Sequence, residues 1–259
     1  MKQKLTVVKV GGKIVETPHS LELLLQGFAR LDGPKVLVHG GGRTATDMAT
    51  RLGIETHMVE GRRITDEAML RVVSMVYGGL VNKNVVARLQ AAGVNALGLT
   101  GADMDIIRSH RRPVRDGIDF GFVGDVDRVD ADRLALLLES GVVPVVAPLT
   151  HDGQGNLLNT NADTMAGEVA KALAQHFDVT LVYCFEHNGV LAQADDEKSV
   201  IPLITPEIFQ RLKAEGVVSG GMLPKLENCL AAVKAGVGRV VITRADALGD
   251  GCGTRIALA

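Results

Sequence analysis

Short runs of apolar residues alternate along the chain with longer amphipathic segments. Six of the apolar runs predict buried β-strands, because continuous apolar character is typical of parallel strands covered on both faces. They are 5–10 (LTVVKV), 35–39 (KVLVH), 95–99 (NALGL), 142–147 (VVPVVA), 179–183 (VTLVY) and 239–243 (RVVIT). The amphipathic segments predict helices at about 18–31, 44–52, 66–92, 130–140, 163–176, 205–215 and 223–235.

This alternation of strands and helices predicts an α/β fold built on one continuous sheet with right-handed crossovers. One segment, 106–129, interrupts the alternation with turn residues and short β-prone runs. We expect it to form an antiparallel β excursion near the edge of the sheet.

Composition excludes several classes of protein. The chain has 259 residues and a formal net charge of −2, which gives no electrostatic argument for binding nucleic acid or an anionic membrane. No apolar run approaches the ~18 residues of a membrane span, and we expect no signal peptide before the first strand. Three widely spaced cysteines are typical of a reducing cytosol, so we expect a cytoplasmic protein.

Glycines follow the first two predicted strands, in VVKVGGK (7–13) and VHGGGR (38–43). Ligands of open α/β sheets bind beyond the carboxyl ends of the strands, where bare amides and helix N-termini favour anions. Two interpretations of these loops have about equal support from the sequence. One is a shared anion-binding site, and the other is a pair of tight structural turns.

Two further stretches combine polar residues with helix starts. LLNTNADTMAGEVAKAL (157–173) has three alternating polar residues, Asn159, Asn161 and Asp163, before a predicted helix. Capping of the helix explains Asn161 or Asp163, but it does not explain all three. In VVSGGMLPKLENC (217–229), Lys225 opposes the helix dipole unless an anion is also present. The alternative is a solvated lysine on a surface helix.

Other motifs are absent from the sequence. It has no Walker P-loop, no G-x-G-x-x-G, no H-E-x-x-H and no G-x-S-x-G. His39, directly before the second glycine loop, is interpreted as structural.

Seven stretches, taken in chain order, resemble the amino acid kinase family, most closely its acetylglutamate kinase branch. They are VVKVGG, LVHGGGR, GRRIT, GLTGAD, LLNTNAD, VSGGMLPK and GTRI. The resemblance covers nearly the whole chain. It implies an open three-layer αβα sandwich with a mainly parallel central sheet, as one domain over 1–259. An N-terminal lobe, to about residue 176, would bind acylglutamate, and a C-terminal lobe, about 177–259, would bind ATP with Mg²⁺.

The implied reaction is ATP-dependent phosphorylation of the γ-carboxylate of N-acetyl-L-glutamate in arginine biosynthesis. A sibling activity on carbamate, uridylate or free glutamate is the alternative, and a non-catalytic sensor of amino acids or nucleotides is another. The retained Lys9, Asp163 and Lys225 speak against a sensor.

The resemblance also assigns roles to individual residues. The catalytic set is Lys9, Lys225 and Asp163, with no protein-held metal because Mg²⁺ would arrive on ATP. The substrate-binding set is Gly41, Gly42, Arg63 and Asn159. The nucleotide-binding set is Gly11, Gly12, Glu186, Gly189, Ser219, Gly220 and Gly221.

Two stretches depart from the family pattern. CFEHNGVL (184–191) replaces a shorter turn and leaves the adenine and ribose contacts open. The stretch 101–114 leaves the acyl group open, since the additional carboxylate of a succinyl group would suit an arginine of the basic run. That run, otherwise interpreted as a solvated hairpin, is Arg108, Arg111, Arg112 and Arg115.

The resemblance implies a homodimer. Arginine-inhibited members carry an additional N-terminal helix, whereas only about four residues precede the first predicted strand here. We therefore expect a homodimer that arginine does not inhibit.

Overall fold

The computed structural model describes residues 2–59, 61–193, 195–220 and 222–258. Its helices are α1 (Gly12–Glu16), α2 (Pro18–Arg30), α3 (Gly42–Arg51), α4 (Glu67–Val73), α5 (Asn82–Ala91), α6 (Ala131–Glu139), α7 (Ala162–Leu173), α8 (Pro206–Ala214) and α9 (Met222–Lys234). Its strands are β1 (Lys4–Val10), β2 (Lys35–His39), β3 (Met58–Val59), β4 (Arg62–Arg63), β5 (Ala96–Leu99), β6 (Ile107–Arg111), β7 (Gly124–Val129), β8 (Val143–Val146), β9 (Leu149–His151), β10 (Leu157–Asn159), β11 (Asp178–Phe185), β12 (Leu203–Ile204), β13 (Arg239–Arg244) and β14 (Thr254–Ile256).

Within the described residues, an eight-stranded central sheet runs in the order β12-β14-β13-β11-β1-β2-β8-β5. Neighbouring strands are parallel except for β13 and β14, which are antiparallel. The strands from beyond residue 177 occupy one half of the sheet, and β1, β2, β8 and β5 occupy the other. The prediction of a continuous, mainly parallel sheet is confirmed.

Helices cover both faces of this sheet. Side chains alternate along a strand, so Leu5 and Val7 of β1 pack with α6, α7, α8 and α9 on one face. Val8 and Val10 pack with the helices from α1 to α5 on the other. The result is the predicted three-layer αβα sandwich. The alternation also places Lys9 on the same face as Leu5 and Val7, where α7 and α9 lie.

The 106–129 segment forms an antiparallel pair, β6 and β7, as predicted. The pair follows the edge strand β5 in the chain but does not extend the central sheet. It belongs to a separate four-stranded sheet in the order β10-β9-β6-β7. The partners β9 and β10 come from 149–159, directly before α7. Their three-residue length gave no recognisable strand pattern.

The helix predicted over 66–92 is helical almost throughout, but its centre is not α-helical. A π-helical segment, Ser74–Val81, separates α4 from α5. The adjacent Gly78 and Gly79 have low α-helix propensity, which reduces the cost of leaving α geometry there. Among the described residues, no helix has the length and apolar character needed to cross a lipid bilayer.

The structure predicts that Gly121→Ala destabilises the protein strongly. Gly121 has φ +69°, and a methyl group on it would approach the Thr65 carbonyl oxygen to 2.3 Å. Gly117 is the matched control, since it has φ +75° and nothing within 4 Å of the same position. We expect Gly121→Ala to lower the free energy of unfolding in urea by about 2 kcal/mol more than Gly117→Ala does. Equal losses would mean that the Thr65 backbone moves aside freely.

Candidate functional site

A cleft of about 210 Å³ lies beyond the carboxyl ends of β1 and β2. Its walls include Lys9 on β1, the loop after β2, the region around β4, the π-helical segment, the chain just after β6 and the segment leading into α7. The lining residues used below are Lys9, Gly40, Gly41, Gly42, Arg62, Arg63, Tyr77, Arg112, Asn159 and Asp163. The structure therefore brings together residues predicted from four separate motifs.

The two glycine loops lie against each other. A methyl group on Gly40 would lie 3.0 Å from the Gly12 amide nitrogen, and one on Gly12 would lie 3.4 Å from the nitrogens of Gly41 and Gly42. Close approach of the two backbones therefore explains the glycines. Within the described part of the chain, the amides of Gly12, Gly41 and Gly42 donate to no acceptor. They form a cluster of donors suited to an anion.

Gly11 has a different environment. Its amide donates to the Cys184 carbonyl at 3.4 Å. A methyl group there would lie 4.0 Å from Lys9 Nζ, an ordinary contact. Gly11 therefore connects the first loop to the end of β11 beside the lysine.

Lys9 and Asp163 form a buried ion pair. Lys9 Nζ lies 2.7 Å from Asp163 Oδ1, and the two side chains are only 7% and 15% exposed. Asp163 lies in the first turn of α7, where the helix dipole favours a negative charge. The pair joins the central strand to this helix start.

Asn161 is the N-cap of α7, as one of the two interpretations of the sequence proposed. Its Oδ1 accepts from the amides of Asp163 at 2.9 Å and Thr164 at 3.0 Å. Asn159 lies two residues earlier in the cleft wall and is buried. Its amide group donates to Thr65 Oγ1 at 2.9 Å. No donor from the described residues meets its carbonyl oxygen, which can therefore accept from a ligand.

Lys225 lies in the first turn of α9, close to the ion pair. Its Nζ is 4.1 Å from the centroid of the Phe185 ring. Burial lowers the pKa of Lys225, and the charge of Lys9 lowers it further, whereas Asp163 and Glu186 oppose the shift. The surface-lysine interpretation is therefore wrong for this conformation, because Lys225 is half-buried beside the cleft.

Arg63 is buried and fixes the start of α3. Its Nη2 donates to the Gly42 carbonyl and to Thr46 Oγ1, both at 2.8 Å. Tyr77, in the π-helical segment, lies nearby, and burial raises its pKa while Arg63 opposes the shift. A guanidinium held in this way presents a fixed positive charge to the cleft.

The predicted nucleotide-binding residues are more widely spread. Glu186 forms an ion pair with Lys13 and lines a neighbouring cavity of about 230 Å³. A methyl group on Gly189 would lie 2.7 Å from Thr254 Oγ1, so packing alone accounts for that glycine. Ser219 and Gly220 are exposed just before α9. Gly221 lies outside the described residues.

The basic hairpin divides into two groups. Arg108 pairs with Asp105 at 2.9 Å and Arg111 with Asp119 at 3.1 Å, both at exposed positions. Arg112 lines the cleft and is mostly buried, with Nη2 at 2.5 Å from Asp125 Oδ1. Its hydrogen bonds hold the pKa of Asp125 below the usual range. The expected solvated hairpin is thus wrong for Arg112.

His39 has the structural role that the sequence suggested. Complete burial lowers its pKa to about 4, so the ring is neutral near pH 7. Nδ1 must carry the proton, because it lies 2.7 Å from the Gly40 carbonyl oxygen. Nε2 then accepts from the Asn82 amide at 3.1 Å. This chain of hydrogen bonds supports the second glycine loop from behind.

Tyr77 and Asn82 were not predicted from the sequence. Both lie within the long helical pattern, where Tyr77 has the spacing of a core residue and Asn82 that of a solvated residue. A polar residue between valine-rich turns could have identified Asn82 as buried. No feature of the sequence identifies Tyr77 as a cleft residue, since its position depends on the π-helical segment.

Comparison with known proteins places these features in a family. The model of the amino acid kinase family matches residues 4–244. The chain belongs to the amino acid kinase family. Within it, the acetylglutamate kinase of Phocaeicola vulgatus is 64% identical over 256 residues, 99% of each chain. The acetylglutamate kinase of Bacteroides fragilis is 66% identical over 256 residues, 99% of this chain and 98% of that protein. The resemblance stated from the motifs is confirmed.

Solved structures agree on the fold. N-acetylglutamate synthase from Neisseria gonorrhoeae superposes with a TM-score of 0.84 at 23% identity, covering 100% of this chain and 60% of that one. Carbamate kinase from Giardia lamblia superposes with a TM-score of 0.70 at 14% identity, covering 99% of each chain. At these identities the likeness concerns the fold alone.

The ion pair predicts unequal effects of its two partners on stability. Asp163→Asn leaves the buried Lys9 ammonium beside Lys225 without a carboxylate, and we expect a loss of about 3 kcal/mol in the free energy of unfolding. Lys9→Met leaves Asp163 within the field of Lys225 and fills the space with an apolar chain, so the loss should be less than half as large. Urea unfolding of both variants measures the difference, and a larger loss in Lys9→Met would contradict it.

Proposed function

We propose that this chain is an acetylglutamate kinase, which transfers the γ-phosphoryl group of ATP to the γ-carboxylate of N-acetyl-L-glutamate in arginine biosynthesis. The observation that carries the proposal is the convergence in one cleft of Lys9, Asp163, the glycine amides and Arg63. The extended similarity to acetylglutamate kinases supports the choice of substrate.

The chemistry needs positioning and positive charge rather than a protein nucleophile. In phosphoryl transfer, negative charge spreads over the oxygens of the transferring group. Lys9 Nζ and the amides of Gly12, Gly41 and Gly42 would stabilise that charge. Asp163 keeps the Lys9 ammonium oriented, and Lys225 would neutralise charge on the nucleotide side.

The acceptor would be held by the remaining cleft residues. Its α-carboxylate would bind to the Arg63 guanidinium, since a fixed fork of donors suits a planar carboxylate. The free carbonyl oxygen of Asn159 would accept from the amide N–H of the acyl group. This arrangement turns the γ-carboxylate towards Lys9 and the glycine amides.

We propose that Mg²⁺ enters with the nucleotide. Mg²⁺ retains several waters and usually binds through one or two carboxylates together with substrate phosphates. Among the described residues, Asp163 is the carboxylate in the cleft lining, and its Oδ1 faces Lys9. The residues therefore fit a metal held chiefly by phosphate oxygens. Cytoplasmic location remains a prediction from the sparse cysteines.

Measurement of ADP release with a panel of acceptors tests this function. N-acetylglutamate should be phosphorylated, and glutamate, carbamate and UMP should be poor acceptors because they lack either the acyl amide or the α-carboxylate. Turnover of carbamate or UMP equal to that of N-acetylglutamate would overturn the proposal.

N-succinyl-L-glutamate is the second candidate acceptor, favoured by one observation. Arg112 lies in the cleft wall, where it could meet the additional carboxylate. Its pairing with Asp125 already neutralises much of that charge, so acetylglutamate remains the first choice. Including N-succinylglutamate in the panel decides between them.

Arg63 is expected to determine the affinity for the acceptor. A charge-assisted contact is worth about 1.5–3 kcal/mol, so Arg63→Ala should raise the KM for N-acetylglutamate by roughly 10- to 100-fold. The KM for ATP should change much less, and Arg63→Lys should restore part of the loss. A larger effect on the KM for ATP would mean that Arg63 binds the nucleotide and not the acceptor, and would contradict the assignment.

Lys225 is expected to act on the chemical step. Lys225→Met should fold normally and lose about 10²–10³-fold in kcat, because the lysine charge matters most as the phosphoryl group leaves ADP. The KM for ATP should change less. A near-wild-type kcat in the folded variant would contradict the assignment.

We also propose a homodimer formed through the β5 side of the sheet. β5 is the outermost strand, and Leu97 on it and Met75 and Leu80 on the adjoining helix are exposed apolar residues. A second copy covering this edge would remove from water both apolar surface and the edge of β5 that faces away from β8. Light scattering after size exclusion should give the mass of two chains, and a monomer would contradict the proposal.

A further inference from the structure

Phe185 is the last residue of β11 and faces the ion pair. In the sheet register, Lys9 of β1 lies opposite Tyr183 of β11. Phe185, two residues further along β11, therefore projects from the same face as Tyr183. The two rings are stacked, with centroids 6.1 Å apart and an interplanar angle of 10°. Tyr183 is in turn fixed by a hydrogen bond from its hydroxyl to the Asp163 carbonyl at 3.1 Å.

Both catalytic lysines contact this ring. Lys225 Nζ is 4.1 Å from the Phe185 centroid, and Lys9 Nζ is 5.3 Å from it. Ammonium groups within about 6 Å of an aromatic centroid are attracted by the negative charge of the ring face. The ring is thus a shared contact of two cations that come from a strand and from a helix start.

The ammonium groups of Lys9 and Lys225 lie close together and share one nearby carboxylate, that of Asp163. An additional favourable contact therefore matters for both. Asp163 forms a salt bridge with Lys9, whereas no carboxylate oxygen among the described residues lies within salt-bridge distance of Lys225. The charged groups acting on Lys225 are Lys9 on β1, Asp163 on α7 and Glu186 after β11. Burial raises the pKa of the Cys229 thiol, one turn later on α9, so that group is neutral near pH 7.

We propose that Phe185 is a positioning residue for phosphoryl transfer, whose ring face holds the ammonium groups of Lys225 and Lys9 beside the cleft. The proposal rests on the kinase function assigned above. An aromatic ring can hold two cations without neutralising them. A second carboxylate in its place would cancel the charge that the phosphates require and would repel the phosphates themselves.

Substitution of Phe185 tests the proposal by the pattern of kinetic constants. Phe185→Leu keeps an apolar side chain and removes the ring face. A lost attraction of about 1–2 kcal/mol corresponds to a fall in kcat of about 5- to 30-fold. The KM for N-acetylglutamate should stay unchanged, and Phe185→Tyr should restore kcat because it keeps the ring.

A double-mutant cycle separates positioning from a general structural effect. In a Lys225→Met background the ring has lost its nearest cation, so Phe185→Leu should reduce kcat much less than it does in the wild type. Phe209→Leu is the matched control, because that ring lies 6.0 Å from Lys213 Nζ on α8, away from the cleft. The control should leave kcat unchanged.

A second readout does not depend on catalysis. The ring face favours the charged amine, so its removal should lower the pKa of Lys225 and accelerate reductive methylation of that lysine at a fixed alkaline pH. Peptide mass spectrometry measures the rate in Phe185→Leu, Phe185→Tyr and the wild type. Absence of ADP release by the wild type would overturn the kinase function, and this rate would still test the ring.

Two results would overturn the role of Phe185. One is an unchanged methylation rate of Lys225 in folded Phe185→Leu. The other is an equal loss of kcat from Phe185→Leu with and without Lys225, since additive effects mean that ring and amine act independently.

Discussion

The site depends on a pair of opposite charges buried between the central strand and a helix start. Lys9 lies on the face of β1 that α7 and α9 cover, where an ammonium group alone would be costly. Asp163 makes that position tolerable, and three features fix Asp163 in turn: the Asn161 cap, the dipole of α7 and the Tyr183 hydroxyl on its carbonyl. The local rules of helix capping thus control where the central cation of the cleft points.

A second constraint is the contact between the two glycine loops. The backbones after β1 and β2 approach so closely that a side chain on Gly40 would press on the Gly12 nitrogen. Arg63 and the buried His39 hold the second loop from its two sides. Anion binding here is therefore a property of adjacent parallel strands, since only neighbours in a sheet can bring two such loops together.

Much of this arrangement could be predicted from the sequence, because it follows from local patterns. The buried strands and most helices follow from apolar runs and caps, and the convergence of the two glycine loops follows from the position of strand ends. The grouping of Lys9 with Asp163 came from the family resemblance. The separate four-stranded sheet was not predictable, since β9 and β10 are too short to show a period. Nor was the burial of Arg112, which depends on tertiary pairing with Asp125.

The function of single residues was harder to predict than the fold. Phe185 belongs to a stretch that departs from the family pattern. Its contact with Lys9 and Lys225 follows only from the position of β11 beside β1 in the sheet. Tyr77 has the spacing of a core residue in the sequence and becomes a cleft residue through the π-helical segment. In both cases the decisive neighbours are distant along the chain.

Lys9 and Lys225 belong to backbone segments of unequal stability. Lys9 belongs to a strand bonded to neighbours on both sides, and its backbone can open to solvent only when the sheet itself separates. Lys225 belongs to the first turn of α9, where the amides of Met222 and Leu223 bond outside the helix, to the carbonyls of Ser219 and Gly220 at 3.2 Å. Such helix ends open more readily than the middle of a sheet. In the proposed reaction, the backbone of Lys9 would stay fixed. The backbone of Lys225 would be the one able to adjust.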